Sequence, residues 1–537
     1  MKKQLSRKHK LIVMTIKINT LYYGDNLDIL RKYIPDESID LIYLDPPFNS
    51  KANYNILFKE PSGKESVAQI QAFSDFWHWD KNAEDTYLTL QKYPKFTNMV
   101  QFLHAHLGRN DMMAYLVMMA MRLRELHRVL KPTGSLYIHC DPTASHYLKM
   151  VLDNTFEPFN FRNEIVWVRT TGHRDSHKYN QSHDILFYYT KSKEFTWNPQ
   201  YIPYDEDYIK KNFRYVEPKT GRRFMADNLL AAGTRKGDSG RPWHGIDPTK
   251  KGNHWQYTVQ KLDELDKQGR IYWPPKGHMP RLKRYLDELD GKPLTAEWTD
   301  IPSIGAHAKE RLGFPTQKPL TLLERIIKSS SNKGNVVLDP FCGCGTTIMA
   351  AHKLKRKWIG IDITHLAISL IKTRLRKIKV YANKDYKVIG EPVDFSSAEK
   401  LASTNAYQFQ WWALSLIDAK PTNPDKKKGA DKGVDGWLTF REGGRLNLGR
   451  IVVQVKGGVH VGAKDIRDLI GTVQNTKSAM GIFLTLSEPT KAMKKAAMEA
   501  EYYESPTWGH KYPKIQILTI KELLEGKKPI IPHSQLV

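Results

Sequence analysis

The sequence predicts an α/β protein: a doubly wound, mainly parallel sheet carrying an insert, followed by a smaller α/β unit. Three observations predict it. Short apolar runs end on acids, as in LYYGD, LIYLD, VVLD and WIGID, and amphipathic helical stretches separate them. That rhythm lapses between residues 195 and 305. A second α/β pattern begins after a polar stretch near residue 400. A chain of 537 residues is too long for one domain at roughly 100–200 residues each. The expected division is 12–390 with an inserted region over 195–305, a linker over 391–404, and a last unit over 405–537.

The elements follow in order. LYYGD reads as a strand closing at Gly24-Asp25, and NLDILRKYI sets Leu27, Leu30 and Ile34 on one helical face. SIDLIYLD is the next strand. Residues 111–130 form a long helix rich in Met and Leu, stopped by Lys131-Pro132-Thr133-Gly134. GSLYIHCD, NEIVWVRT (163–170) and HDILFYYTK (183–191) are three further strands. After the insert, Pro319 opens a helix with Leu320, Leu323 and Ile327 on its apolar face, ended by Gly334. NVVLD and KWIGID follow as strands around another helix. In such sheets ligands bind at the carboxyl ends of the strands, where these acids sit.

Composition narrows the function. The net charge is +26 and the pI near 9.6, a balance that favours a polyanion partner, most often nucleic acid. The three cysteines, Cys140, Cys342 and Cys344, form neither a disulfide framework nor a zinc set, which suits the cytoplasm. The basic start MKKQLSRKHKLIVMTIKI is broken by Lys17 before it reaches signal-peptide length, and no stretch has the length of a membrane span.

Strand VVLD runs into Pro340-Phe341-Cys342-Gly343-Cys344-Gly345-Thr346-Thr347 at a helix start. Gly343 and Gly345 let backbone approach a ligand, Asp339 ends the strand, and Asp362 ends the next, where it can accept from ribose hydroxyls. An adenosine-containing cofactor fits; a tight turn with no ligand is the alternative.

LDPFCGCGTT resembles the S-adenosyl-L-methionine (AdoMet) motif of DNA methyltransferases. LDPPFN resembles their D/N/S-P-P-Y/F/W catalytic motif, and Thr316-Gln317-Lys318-Pro319 another of their signatures. The order of catalytic motif, insert and cofactor motif resembles the β class of amino-methyltransferases over roughly residues 20 to 380. The resemblance implies an AdoMet-dependent methyltransferase fold. Its cofactor residues would be Asp25, Lys318, Asp339, Phe341, Gly343, Gly345, Thr346 and Asp362. Asp25 reads equally as a helix N-terminal acid; Lys318 could be a surface lysine, but the resemblance favours a place near the cofactor.

The DPPF stretch then has a chemical reading. A base amine in a duplex is shielded, so the base must be flipped out. Asp45 and the Pro46 carbonyl can accept hydrogen bonds from that amine, aiming its lone pair at a methyl group. Pro46 and Pro47 stiffen the turn, and Phe48 offers a stacking face. Methylation at cytosine carbon-5 would need a Pro-Cys nucleophile, and no cysteine follows a proline. Asp at the first motif position implies adenine N6, with cytosine N4 as the alternative. The substrate is double-stranded DNA, and a homodimer is left open. The insert is assigned to target recognition, with Arg214, Arg222, Arg223, Arg235, Lys236 and Arg241 as candidate contacts.

In the last unit, RIVVQVKG alternates: Ile451, Val453 and Val455 face one side, and Val452, Gln454 and Lys456 the other. With Asp435 nearby, Gln454 and Lys456 could hold Mg2+ and a water, Asp435 and Gln454 as ligands. This resembles the Mrr-like branch of the PD-(D/E)xK restriction endonucleases, supported by FQWWALSLI (409–417) and GIFLTLSEPTKAMKKAAMEA (481–500). Gln410 departs from it, standing where many relatives have glutamate. The resulting expectation is an adenine methyltransferase fused to a magnesium-dependent endonuclease, a restriction–modification fusion. The alternatives are a last unit that binds DNA without cutting, and a DNA-binding protein on a methyltransferase scaffold.

Overall fold

A computed structural model describes residues 16–47, 77–170, 177, 179, 181–275, 279–305, 307–312, 314, 316–422, 433–442, 448–458 and 460–532. Phe48 lies outside these. Nine strands form the first sheet: β1 (Thr20–Tyr23), β2 (Ile39–Leu44), β3 (Leu130–Cys140), β4 (Phe161–Val168), β5 (His183–Thr190), β6 (Glu297–Trp298), β7 (Val336–Asp339), β8 (Lys357–Asp362) and β9 (Lys387–Ile389). Their order is β6-β4-β5-β3-β2-β7-β8-β1-β9. Only β5 runs antiparallel to its neighbours, β3 and β4. The central strands are buried on both faces, which is why β2 and β7 read as near-continuous apolar runs rather than alternating ones.

Helix α1 (Asn26–Tyr33) follows β1 and α2 (Asp111–Val129) packs against it. Leu27 is only half-buried; Ile29, Leu30 and Ile34 carry the α1 contact, and Asn26 is buried as well. Helix α3 (Leu320–Ser330) buries Leu323 and Ile327 as expected, with Leu322 and Ile326 beside them, while Leu320 is only half-buried and Ser331 ends the helix ahead of Gly334. At the amino ends of the strands, Asp40 on β2 accepts from Val336 N on β7 and Lys131 Nζ on β3, both at 2.8 Å. One carboxylate thereby ties three strands in register.

Residues 199–295 form a separate compact unit inside the stretch expected to be inserted. Its antiparallel ladder pairs Arg223–Asn228 with Arg281–Tyr285, and a core gathers Leu229, Trp243, Trp255, Leu262, Ile271 and Leu282.

The last part of the chain builds a five-stranded sheet from β10 (Lys420–Pro421), β11 (Gly436–Arg441), β12 (Leu448–Lys456), β13 (Met480–Thr485) and β14 (Ile515–Thr519). Along β12, Ile451, Val453 and Val455 enter one apolar cluster and Val452 another, as the alternation predicts. Both faces are covered, so Gln454 is buried. Within the expected linker, Phe395–Thr404 is helical, started by an Asp394–Ser397 capping box. It packs on α4 and α5, defined here as α4 (His365–Lys377) and α5 (Ala406–Leu416), through Ala398, Leu366 and Phe409.

Asp339 ends β7 at 3% exposure, and burial raises its carboxyl to about 7 against the hydrogen bonds from Thr347 and Phe341 N. The unfolded chain titrates this group near 4. Its contribution to stability is therefore complete below pH ~4 and is lost as pH rises towards ~7. Asp339→Asn, which cannot titrate, should gain on the unaltered chain over that window by up to ~4 kcal/mol, read by urea unfolding at pH 4.5 and 7.5. A constant difference between the two chains at both pH values would contradict the assignment.

Candidate active site

The strands β2 and β7 lie side by side and parallel, Val337 opposite Leu41 and Leu338 opposite Ile42. The chain leaves β2 towards β3 on one side and reaches β8 from β7 on the other, so their carboxyl ends open a crevice. Asp45 follows β2 there and the glycine loop follows β7. Both line one pocket, together with Tyr43, Phe314, Thr316 and Lys318.

The loop is built by backbone that only glycine adopts easily. Gly343 has φ +47° and Gly345 +79°. A Cβ on Gly345 would stand 2.5 Å from Ile371 Cγ1, and one on Gly343 3.3 Å from the Phe314 ring. Gly345 caps the helix Thr346–Lys353, so the loop presents backbone N–H groups at a helix start. Phe341 lines the pocket, while Thr346 is buried in the first turn. Arg374 Nη1 donates to Cys344 O at 2.6 Å and closes the loop from behind.

Asp362 shapes this loop. One of its oxygens accepts from Gly343 N at 2.9 Å; the other accepts from Thr364 N at 2.9 Å and Thr364 Oγ1 at 2.7 Å. Burial raises its carboxyl to about 6, with those same hydrogen bonds opposing. Asp362 thus sits at the carboxyl end of its strand and also fixes the backbone of the cofactor loop. Asp25 is likewise engaged internally: Oδ1 caps α1 at Leu27 N, 2.7 Å, and Oδ2 receives Arg122 Nη2 at 2.8 Å. Arg122 also reaches Asn26 Oδ1, and Asn26 Nδ2 donates to Pro340 O at 2.8 Å. The helix-cap reading of Asp25 is therefore the one its hydrogen bonds match, and the GDN stretch braces the cofactor loop through Asn26.

Lys318 lines the pocket beside the glycine loop and is held there by Asp45. Its Nζ donates to Asp45 Oδ2 at 2.5 Å, with both side chains largely buried. Gln317 makes this possible by knitting its loop: Oε1 accepts from Leu312 N at 2.8 Å and Nε2 donates to Glu310 O at 2.6 Å. Pro319 then starts α3, which fixes the Lys318 backbone at a rigid junction. The T-Q-K-P spacing thus delivers an ammonium to Asp45. β2 pairs with β3 up to Leu44, so Asp45, Pro46 and Pro47 leave the ladder at the crevice.

A second polar group was not foreseen. Tyr43 Oη lies 3.3 Å from His139 Nδ1, His139 Nε2 lies 3.1 Å from Asp184 Oδ2, and Arg169 Nε lies 3.0 Å from Asp184 Oδ1. Burial opposes ionisation of Asp184, but His139, Lys318 and Arg169 hold its carboxyl below the usual range. This chain fixes the Tyr43 ring at the pocket wall. The signal was present as polar residues inside the apolar runs LYIHCD and HDILFYY.

The expected magnesium centre does not form a cation site. Asp435 Oδ1 accepts from Gln410 Nε2 at 3.0 Å and Oδ2 from Val455 N at 2.7 Å. Gln454 turns its Nε2 to Gly433 O at 2.5 Å, and Lys456 Nζ is 3.9 Å from Asp465 Oδ1. An acid that accepts from an amide where a second carboxylate would be needed is a hydrogen-bond hub. Among the described residues no group of three His, Cys, Asp or Glu could hold a metal. In the insert, Arg222 binds Asp287 and Glu288 and stacks 3.9 Å over Tyr285, so it braces that unit. Arg235 and Lys236 are exposed.

Among the described residues no helix is long and apolar enough to cross a membrane. Residues 412–525 match a family described as NACHT-associated inactive Restriction Endonuclease 1, which does not support the expectation of an active Mrr-like nuclease. The chain is 36% identical over 265 residues to the type II methyltransferase M.EcaI of Enterobacter cloacae, covering 49% of this chain and 57% of that one. It is 28% identical to the StyLTI Mod subunit, a type III restriction-modification enzyme of Salmonella typhimurium, over 63% of this chain and 50% of that one. It is 27% identical to the DNA adenine methyltransferase YhdJ of Escherichia coli, over 67% and 83%. The chain thus spans little more than half the length of the first two relatives. Residues 39–373, more than half of the chain, match the N6/N4 family described as DNA methylase, and the chain belongs to that family.

Proposed function

We propose that the protein transfers a methyl group from AdoMet to the N6 amine of a flipped adenine in double-stranded DNA. The observation that carries the reading is the shared pocket: Asp45 and the glycine loop face one crevice at the β2–β7 boundary. The loop fits an adenosine cofactor in its chemistry, with glycine backbone at a helix start and an aromatic ring, Phe341, at the mouth. Bound there, the cofactor supplies an electrophilic methyl group. Everything else is done by the chain. Lys318 holds Asp45 Oδ2, which orients the carboxylate and directs Oδ1 towards an incoming amine. The Pro46 carbonyl lies past the end of the β2 ladder and offers a second acceptor. Two acceptors on one amine aim its lone pair, and the rest of the step is positioning.

Asp at the first motif position and the likeness to a DNA adenine methyltransferase favour adenine over cytosine N4. The charge of +26 supports a phosphate-rich partner, and exposed Arg235 and Lys236 put part of it on the insert, to which we assign target recognition. We further propose that the last unit contacts DNA without cutting it. The Gln410–Asp435 hydrogen bond is the observation that favours this over the nuclease reading.

Asp45→Asn keeps the shape and removes the charge that receives Lys318. It should lower the methyl-transfer rate constant by about 100-fold or more while S-adenosylhomocysteine affinity stays within about threefold. An unchanged rate in a tritiated-methyl assay would overturn the role of Asp45. Plasmid incubated with the protein and Mg2+ should remain uncut over hours. Cutting that disappears on Asp435→Ala would restore the nuclease reading.

A further inference from the structure

The last unit needs a role if it does not cut, and the structure supplies one at its contact with α4. Gln408, on α5, is 4% exposed, and its Oε1 accepts from the backbone N–H of His365 at 2.8 Å. His365 is the first residue of α4, so this N–H is one of the four that a helix leaves without an internal partner. Its neighbour Thr364 caps α4 and donates twice to Asp362, which in turn receives Gly343 N. A continuous path runs from a side chain of the last unit to the backbone of the cofactor loop, through one helix end.

Water cannot easily stand in for Gln408. The His365 ring is fully buried, stacks on Tyr23 with centroids 3.7 Å apart, and lies 3.6 Å from Glu391. The contact is broad as well as specific. Leu366 and Leu370 of α4 pack into the apolar cluster of Phe409, Trp412 and Ala398, and Arg376 of α4 pairs with Asp418 beyond α5.

We propose that the last unit is a working part of the cofactor site, and that Gln408 is its positioning residue. By holding the first N–H of α4, Gln408 fixes the Thr364–Asp362 turn and, through it, the Gly343 backbone that meets the cofactor. The unit then sets the affinity of the site for its adenosine ligand. This rests on the AdoMet reading given above.

The test is S-adenosylhomocysteine binding to the full chain by calorimetry, which needs no turnover. Gln408→Leu removes the acceptor and should weaken binding about fivefold, the loss expected for one buried hydrogen bond. Gln408→Glu keeps an acceptor oxygen and should stay within about twofold of the unaltered chain. Gln410→Leu loosens the same helix on its other side and should also stay within about twofold. Equal affinity for Gln408→Leu and the unaltered chain overturns the proposal, as does an equal loss in Gln410→Leu. If the unaltered chain binds no S-adenosylhomocysteine, the AdoMet reading and this proposal fall together. A second measurement needs no variant: adding S-adenosylhomocysteine should slow hydrogen exchange in residues 406–416 as well as at the start of α4. Protection confined to the glycine loop would count against the coupling.

Discussion

The pairing of β2 with β7 is the constraint on which the site depends. These strands are far apart in sequence, and everything chemical follows from their lying parallel and adjacent in the middle of one sheet. Asp40 holds their amino ends together through Val336 N, so their carboxyl ends leave the sheet at matched heights. Asp45 and the glycine loop therefore arrive at one crevice without any long side chain having to reach across. Burial on both faces makes the register strong, because a slip of one residue would turn every side chain to the other face.

Around that crevice, charge is controlled by short polar chains. Lys318 orients Asp45, Asp362 shapes the loop, and Arg122 with Asn26 braces Pro340 from below. The Tyr43–His139–Asp184–Arg169 chain supports the wall. Most of these groups are buried and their partners lie in other segments of the chain, so disturbing one element reaches the site through a hydrogen bond rather than a diffuse shift.

Much of this was legible in the sequence, for physical reasons. Strand and helix periods located seven of the nine strands, because buried parallel strands must be apolar and helices must show a face; the short edge strands Glu297–Trp298 and Lys387–Ile389 carry too few residues to show a period. The motifs fixed Asp45 and the loop, since a glycine at φ +79° against Ile371 admits no substitute and two prolines after an acid are a rare sequence. What was not legible is what depends on partners distant in sequence. Lys318 belongs to Asp45, 273 residues away, and nothing local says so. Asp362 and Asp25 read as acids at strand ends, but their hydrogen bonds to Gly343 N and to Arg122 join positions far apart in the chain and leave no local mark. The Gln454–Lys456 alternation was legible as a strand, whereas the hydrogen bonds of Asp435 to Gln410 Nε2 and Val455 N depend on partners the alternation does not show. The helical stretch at 395–404 looked like a linker because its polar face dominates a short segment.

The last unit, which matches a family described as inactive Restriction Endonuclease, is proposed to serve another part of the same chain. Its sheet keeps the strand that once suggested catalysis, while its first helix faces α4 and the cofactor loop behind it. The account as a whole stands on amine methylation led by Asp45. The most direct measurement is mass spectrometry of nucleosides from DNA incubated with the protein and isotopically labelled AdoMet. The account predicts labelled N6-methyl-2′-deoxyadenosine; label in 5-methyl-2′-deoxycytidine, or in no nucleoside at all, would contradict it.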